Sequence, residues 1–456
     1  MNIEDYHKID NSLDQFEFKY KDIDVTYIVR NYVISLIRTN NNVGNPLIKL
    51  NSAILWRFLK TALMTFPSVF KKRSVWVFSN AERRKKFERY YYDRVASIVS
   101  EQNNDVLFIE NPVIQNHKHP SKDTILSDAF FFIGSYLFSI LKFKRKHLVI
   151  DPRFTDFAQE QGIKVNLIPL MKRFVGQYFF MHFFLRFISR PKMVYSVFPS
   201  GYYGYNYAFK QRRIPIIELQ HGIIYPLHPS YNTILFEKSK KFKPDFVFTY
   251  GDKDKECLDS LNYVNKDNSF VVGSYGLWKG KNYTVIGDYL KSKLSINKKN
   301  VVIIATTNDI DELYQFSLKL ISISNEFNLL LLPRHECKHL ESRENVTILD
   351  IYKTNVFEVY KAADLLVSKS STGALEALFM GIPCFLLEKE NETSIFRQNY
   401  SFIKSFNFFQ DEVQFVQAVK TEEYLLPLEE DVNQIYAAHV FENYDKALIK
   451  ISNNEH

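Results

Sequence analysis

The feature that most constrains this chain is a repeated break: a short apolar run stops abruptly in a polar turn, and a helical stretch follows. Two such breaks stand out. One is Pro215-Ile216-Ile217-Glu218-Leu219-Gln220-His221-Gly222, continuing to His228. The other is Leu366-Val367-Ser368-Lys369-Ser370-Ser371-Thr372-Gly373-Ala374-Leu375-Glu376-Ala377. Strands that alternate with helices pair in parallel, giving an α/β fold. Ligands of parallel sheets bind outside the carboxyl ends of the strands. Both polar turns therefore belong where ligands sit. If the two strands lie in different domains, the turns face each other across a cleft.

The same alternation runs through most of the chain. Buried strands are expected at 74–80, 105–110, 193–198, 214–219, 245–250, 301–305, 329–333, 346–349, 365–367 and 382–387. Helical spacing marks 25–38, 54–66, 128–143, 167–193, 309–327, 355–363 and 371–379, the last closed by Gly381. The charged stretch 81–101 also reads as helix. A chain of 456 residues is too long for one ordinary core. The expected division is an acceptor-side domain with a helical N-terminal extension over 1–252, a second α/β domain over 253–410, and a helical tail over 411–456.

Composition narrows the class. With 46% hydrophobic and 24% charged residues the chain is globular. Its net charge of +8 suits anionic partners such as nucleotides, phosphates or a lipid surface, and equally a Lys-rich composition with no charge-based role. The three Cys (Cys257, Cys337 and Cys384) form no disulfide framework or zinc spacing, which points to a reducing compartment. No signal peptide is read at the polar N-terminus. The longest apolar run, 129–141, falls short of the roughly 20 residues that span a bilayer. A cytoplasmic protein is expected. The helices 128–146 and 167–192 interleave Phe and Tyr with Lys and Arg. They read either as core or as a peripheral contact with the inner face of a membrane. No nucleic-acid-binding signature is present.

The second turn offers hydroxyls and backbone N–H groups at a helix start, a phosphate site in kind. Ser370, Ser371, Thr372 and Gly373 form it, and Glu376 lies one helical turn on, within reach of a ribose. Read alone, it is also an ordinary N-cap with Glu376 as capping-box partner. Arg334-His335 ends a strand of four Leu, and Thr306-Thr307 ends another. Three strand ends with polar tips at one edge fit a nucleotide phosphate. In the first turn a carboxylate or imidazole could deprotonate an acceptor hydroxyl, so Glu218, His221 and His228 are the catalytic candidates. Gln220, Gly222 and Tyr231 fall on the acceptor side, Gly222 as a residue permitting a special backbone conformation. The alternative for Glu218 and His221 is a satisfied buried carboxylate and a turn cap. No residues with metal-ligand spacing meet at the cleft, and Gly-x-Gly-x-x-Gly, Walker A and Gly-x-Ser-x-Gly patterns are missing.

Together, the Ser-Ser-Thr-Gly-x-x-Glu-Ala turn and the two α/β halves resemble the GT-B glycosyltransferases, over roughly residues 75–400. The turn is similar to one found in capsule and lipopolysaccharide glycosyltransferases and in nucleotide-sugar 2-epimerases. Glu218-Leu219-Gln220-His221-Gly222 with His228-Pro229-Ser230-Tyr231 resembles bacterial surface-polysaccharide transferases. Two departures are visible. Arg334-His335-Glu336 stands where sialyltransferases carry His-Pro, and the Trp-His-Gly-Thr form of teichoic-acid polyol-phosphate transferases is not found. The resemblance implies two Rossmann-like domains facing across a cleft and metal-independent transfer, without a cofactor, from a nucleotide-sugar donor to a glycan or lipid-linked glycan acceptor. It places donor phosphates at Ser370, Ser371, Thr372 and His335, and the ribose at Glu376. A glycosyltransferase of capsule or O-antigen synthesis is the expectation. Polyol-phosphate transfer, epimerase-like chemistry and a noncatalytic membrane-associated scaffold are the rivals.

Overall fold

The computed structural model describes residues 3–38, 52–87, 90–111, 121–226, 228, 230–282, 285–390 and 392–454. In chain order the first strands are β1 (Phe18–Tyr20), β2 (Ile23–Asp24), β3 (Val75–Asn80), β4 (Arg84–Phe87), β5 (Tyr90–Asp93), β6 (Val106–Asn111), β7 (Thr124–Ser127), β8 (Leu148–Ile150) and β9 (Met193–Ser196). They continue with β10 (Ile216–Leu219), β11 (Phe246–Thr249), β12 (Ser269–Val271), β13 (Lys299–Ala305), β14 (Phe327–Pro333), β15 (Val346–Ile348), β16 (Leu365–Ser368), β17 (Cys384–Leu387) and β18 (Phe406–Phe409).

Two parallel sheets dominate. The first has seven strands in the order β12-β11-β10-β9-β3-β6-β7, and the second has six in the order β15-β14-β13-β16-β17-β18. Every pairing within them is parallel. Strands covered by helices on both faces read as continuous apolar runs. That is the pattern of Val301 to Ala305, all buried. This is the α/β fold with two Rossmann-like domains, the GT-B architecture.

The first sheet runs on through Val271, so the division expected at 252–253 falls inside it, and the crossing to the second domain comes later. The tail does not stand apart either. Helix Glu412–Thr421 packs Phe415 and Val419 into the second core. The chain then returns: Ala437 N–H donates to the Tyr250 carbonyl (2.8 Å), and Gly273 takes φ +99° where the Ala437 carbonyl crowds it. Helix Val440–Asn454 lies beneath the first sheet, where the Tyr444 and Tyr195 hydroxyls meet at 2.7 Å.

Most expected helices are present, including Thr26–Arg38, Asp128–Lys142, Leu167–Phe187, Ile310–Ile323 and Gly373–Phe379, which ends before Gly381 at φ +83°. The exception matters for the site. Residues 81–101 do not form one helix. A 3-10 turn, the antiparallel β4–β5 hairpin and a short helix (Ser97–Gln102) occupy that stretch. Arg84 at the hairpin base is buried against Glu110 and Asp123 (2.6 and 2.7 Å). The hairpin leans onto the second domain: Phe87 stacks near Phe357 (5.3 Å between centroids), and Asn355 Nδ2 donates to the Lys86 carbonyl (2.6 Å).

Candidate active site

In the second sheet β13 comes first in sequence, β14 lies on one side of it and β16 on the other. The strand order reverses between β13 and β16, which is where open α/β sheets take ligands. Thr306 and Ser370 sit at those two strand ends with their hydroxyls 3.2 Å apart. Asp309 braces the pair, accepting from Ser370 Oγ (2.6 Å) and from the Thr306 N–H (2.5 Å). Ser371 Oγ accepts the Gly373 N–H (3.2 Å), so this hydroxyl caps its own turn. Thr307, Thr372, Arg334 and His335 are exposed, the last two just past the end of the neighbouring β14. The donor candidates from three strand ends are thus gathered at one edge. Helix Gly373–Phe379 is only two turns long, so side chains rather than a long helix dipole carry the local charge.

Glu376 is buried with both oxygens engaged. Oε1 accepts from Arg94 Nη2 (2.5 Å) and Oε2 from the Tyr360 hydroxyl (2.9 Å). Arg94 comes from just beyond β5, so this ion pair joins the two domains. The Glu376 carboxylate holds the Arg94 guanidinium well above its ordinary range. Arg83 and Lys85 flank Arg94 on the hairpin. Burial holds both cations below their ordinary values, and among the described residues neither has an ion-pair partner. Sequence reading missed all three. Their signal was a run of basic residues that a helix would scatter around its face and a hairpin aims at the cleft.

The first turn divides into two layers. Glu218 is 2% exposed, and its oxygens accept from the hydroxyls of Tyr231 (2.8 Å) and Tyr263 (2.9 Å). Burial pushes its carboxyl up to about 7. Gln220 is as buried: Nε2 donates to the Gly222 carbonyl (2.8 Å) and Oε1 accepts the Tyr250 N–H (2.6 Å). Glu218, Gln220 and Tyr231 therefore lie under the turn and shape it, and their expected places as base and acceptor contacts are corrected. The reason is burial beneath partners such as Tyr231, Tyr250 and Tyr263, which strand alternation does not reveal. Gly222 is also corrected: its φ is not positive and an added Cβ would meet nothing.

The upper layer is the two histidines. Burial, with Arg83 and His228 adding, pushes His221 down to about 3. Its Nδ1 is buried with no hydrogen-bond partner among the described residues, and its ring edge meets Phe198 (5.9 Å). Burial and Arg38 lower His228 to about 4. His228 Nδ1 accepts the Ser230 N–H (3.3 Å), which leaves the proton of the neutral ring on Nε2. The neutral His221 ring thus stands beside Arg83, Arg83 beside Arg94, and Arg94 on Glu376, which links the two turns. Among the described residues no three His, Cys, Asp or Glu side chains converge as a metal site.

No family model matches the sequence, and a comparison with curated proteins finds no significant match. Solved structures do resemble it. Staphylococcus aureus MnaA with UDP superposes with a TM-score of 0.51 at 13% identity, over 84% of this chain and 97% of that one. UDP-GlcNAc 2-epimerase from Methanocaldococcus jannaschii gives 0.50 at 11%, over 83% and 99%. The wall teichoic acid polymerase TagF, solved with CDPG, gives 0.50 at 12%, over 94% and 99%. At such identities the likeness establishes the fold.

Proposed function

We propose that this chain is a glycosyltransferase that moves a sugar from a nucleotide-sugar donor to a growing bacterial surface glycan. The observation that carries the reading is the β13–β16 switch point, with Thr306 and Ser370 in contact, Arg334 and His335 just past the neighbouring strand, and Arg94 from the end of the basic hairpin paired with Glu376 of the same turn. A diphosphate bound there would meet hydroxyls from one domain and the cations Arg83 and Lys85 from the other. Glu376, fixed by Arg94 and Tyr360, retains lone pairs for a ribose. His221 is the proposed base: a bound anion offsets the Arg83 charge and raises the imidazole toward a working range. His228 serves as a hydrogen-bond donor. The acceptor hydroxyl loses its proton as it attacks the sugar carbon, and the nucleotide leaves with the bonding electrons.

A second reading, transfer of a phosphopolyol, is favoured by the TagF likeness, which extends over 94% of the chain. Incubation with a panel of UDP-, CDP-, CMP- and GDP-linked donors, followed by mass spectrometry of the acceptor, separates a glycosyl from a phosphopolyol addition. No product and no nucleotide binding with any donor would remove both readings and leave the noncatalytic scaffold.

Membrane contact belongs to the same proposal. The outer faces of Asp128–Lys142 and Leu167–Phe187 expose Tyr136, Leu137, Ile140, Leu141 and Phe187, and Ser52–Thr65 adds Trp56 and Leu63. Their inner faces are core. Residues 52–73, 128–146 and 167–192 contain 14 Lys and Arg and a single acid, Asp128. An apolar face with a strongly cationic rim suits an anionic bilayer surface. Among the described residues no helix is long and apolar enough to cross a membrane.

A further inference from the structure

The first domain has a cavity of its own. It measures about 540 Å³ and is walled on one side by the chain beyond β9 at Ser200, Gly201 and Tyr203. Helix Thr26–Arg38 forms the opposite wall through Asn31 and Arg38, and helix Leu167–Phe187 contributes Arg173 and Gln177. Ser230 completes the lining, and its N–H is the one that holds His228. The cavity therefore adjoins the reactive turn but shares no residue with the donor edge of the second domain.

Its polar groups are fixed at one end and available at the other. Asn31 Nδ2 donates to the Tyr203 hydroxyl (2.7 Å), and Gln177 spans the Gly201 carbonyl and the Gly204 N–H (3.2 Å each). Arg173 spends one N–H on the Gly201 carbonyl (2.9 Å). Among the described residues no Asp or Glu lines the cavity. The acid that acts on Arg173 is Asp128, buried against Tyr202. Among the described residues Arg38 has no ion pair, and its charge falls on His228. Two guanidiniums, hydroxyls and amide edges without a carboxylate are the recognition set for a hydroxylated anion.

We infer that this cavity is an acceptor subsite for an anionic, hydroxylated chain end, with a phosphate or carboxylate taken by Arg38 and Arg173. The inference rests on the transferase reading for the word acceptor, and on the cavity alone for the anion. Charge on the acceptor then sets specificity, and the Ser230–His228 contact sets the chain end beside the transfer site.

The test is calorimetric titration of the full chain with sn-glycerol 3-phosphate, glucuronate and neutral glucose. The wild type, Arg38→Ala/Arg173→Ala, Arg38→Lys/Arg173→Lys and Arg334→Ala/His335→Ala are compared. Expected is binding of at least one anionic probe, weakened tenfold or more by the alanine pair, partly restored by the lysine pair and unchanged by Arg334→Ala/His335→Ala. The anion that binds tells phosphate from carboxylate. Equal binding of glucose, no binding of either anion, or undiminished binding in a folded Arg38→Ala/Arg173→Ala chain would overturn the inference. Should the alanine pair melt early, the lysine pair decides: full wild-type affinity there contradicts a bidentate guanidinium site. Nucleotide binding, measured separately, can fail without touching this result, which keeps the two readings apart.

Discussion

Replacing Arg94 by Ala removes the ion pair that, among the described residues, ties the end of the hairpin to the Ser370–Glu376 turn. The pair is short (2.5 Å), with the Glu376 side chain 9% exposed and that of Arg94 28% exposed. Breaking a buried pair by deleting one partner typically costs about 3–5 kcal/mol, because the other charge is left uncompensated. The exposure of Arg94 and the remaining Tyr360 bond reduce this, so about 2–3 kcal/mol is expected. In a domain of this size that lowers the melting temperature by about 5–10 °C. A double-mutant cycle of Arg94→Ala and Glu376→Gln, read by denaturant unfolding and by nucleotide titration, isolates the coupling. The double variant should be little worse than Arg94→Ala alone. Additive single effects, or an Arg94→Ala chain with wild-type stability and nucleotide affinity, would refute the interdomain bridge.

His221→Ala should cut transfer by about 10²-fold or more, as removal of a general base does, while nucleotide affinity changes little. Because the bound anion raises His221 from about 3, NMR titration of its imidazole should show a higher value with a nucleoside diphosphate than without; an unchanged value excludes it from the anion's field. Glu218→Ala strands two buried tyrosine hydroxyls and should cost about 2–4 kcal/mol in stability. Its carboxyl is raised by burial to about 7, so the folded chain binds more protons than the unfolded one above the ordinary carboxylate range. Stability from this group is full at low pH and lost as pH rises through about 7, and Glu218→Gln should remove that slope in pH-dependent melts. In flotation assays the chain should bind vesicles rich in anionic lipid, and Leu137→Glu/Ile140→Glu on the exposed face should abolish this; retention by that variant argues for another occupant.

The parallel sheets were legible because doubly covered strands leave unbroken apolar runs such as Leu329 to Leu332. The polar strand ends at one sheet edge were legible for the same reason: an apolar run ending in Ser370 or Arg334 needs something polar outside it. What escaped was long-range. The hairpin 84–93 is held by Glu110, Asp123 and Glu376, partners up to 282 positions away, and its charged residues mimic a solvated helix. Glu218 and Gln220 share a strand face, but only the folded chain decides that Tyr231 and Tyr263 engage Glu218 while Gly222 and Tyr250 engage Gln220. The return of the tail through Ala437 depends on Gly251 and Gly273 admitting a crossing backbone, which no local pattern announces.

The central claim is that the switch-point edge holds a nucleotide and the His221 turn performs transfer. Calorimetric titration of nucleoside diphosphates into the wild type, Thr306→Ala/Ser370→Ala and His221→Ala tests it most directly. The account predicts binding to the wild type and to His221→Ala with similar affinity, and binding at least about tenfold weaker to Thr306→Ala/Ser370→Ala, as expected for lost hydrogen bonds to a charged ligand. Undiminished binding to a folded Thr306→Ala/Ser370→Ala chain, or no nucleotide binding at all, would contradict it.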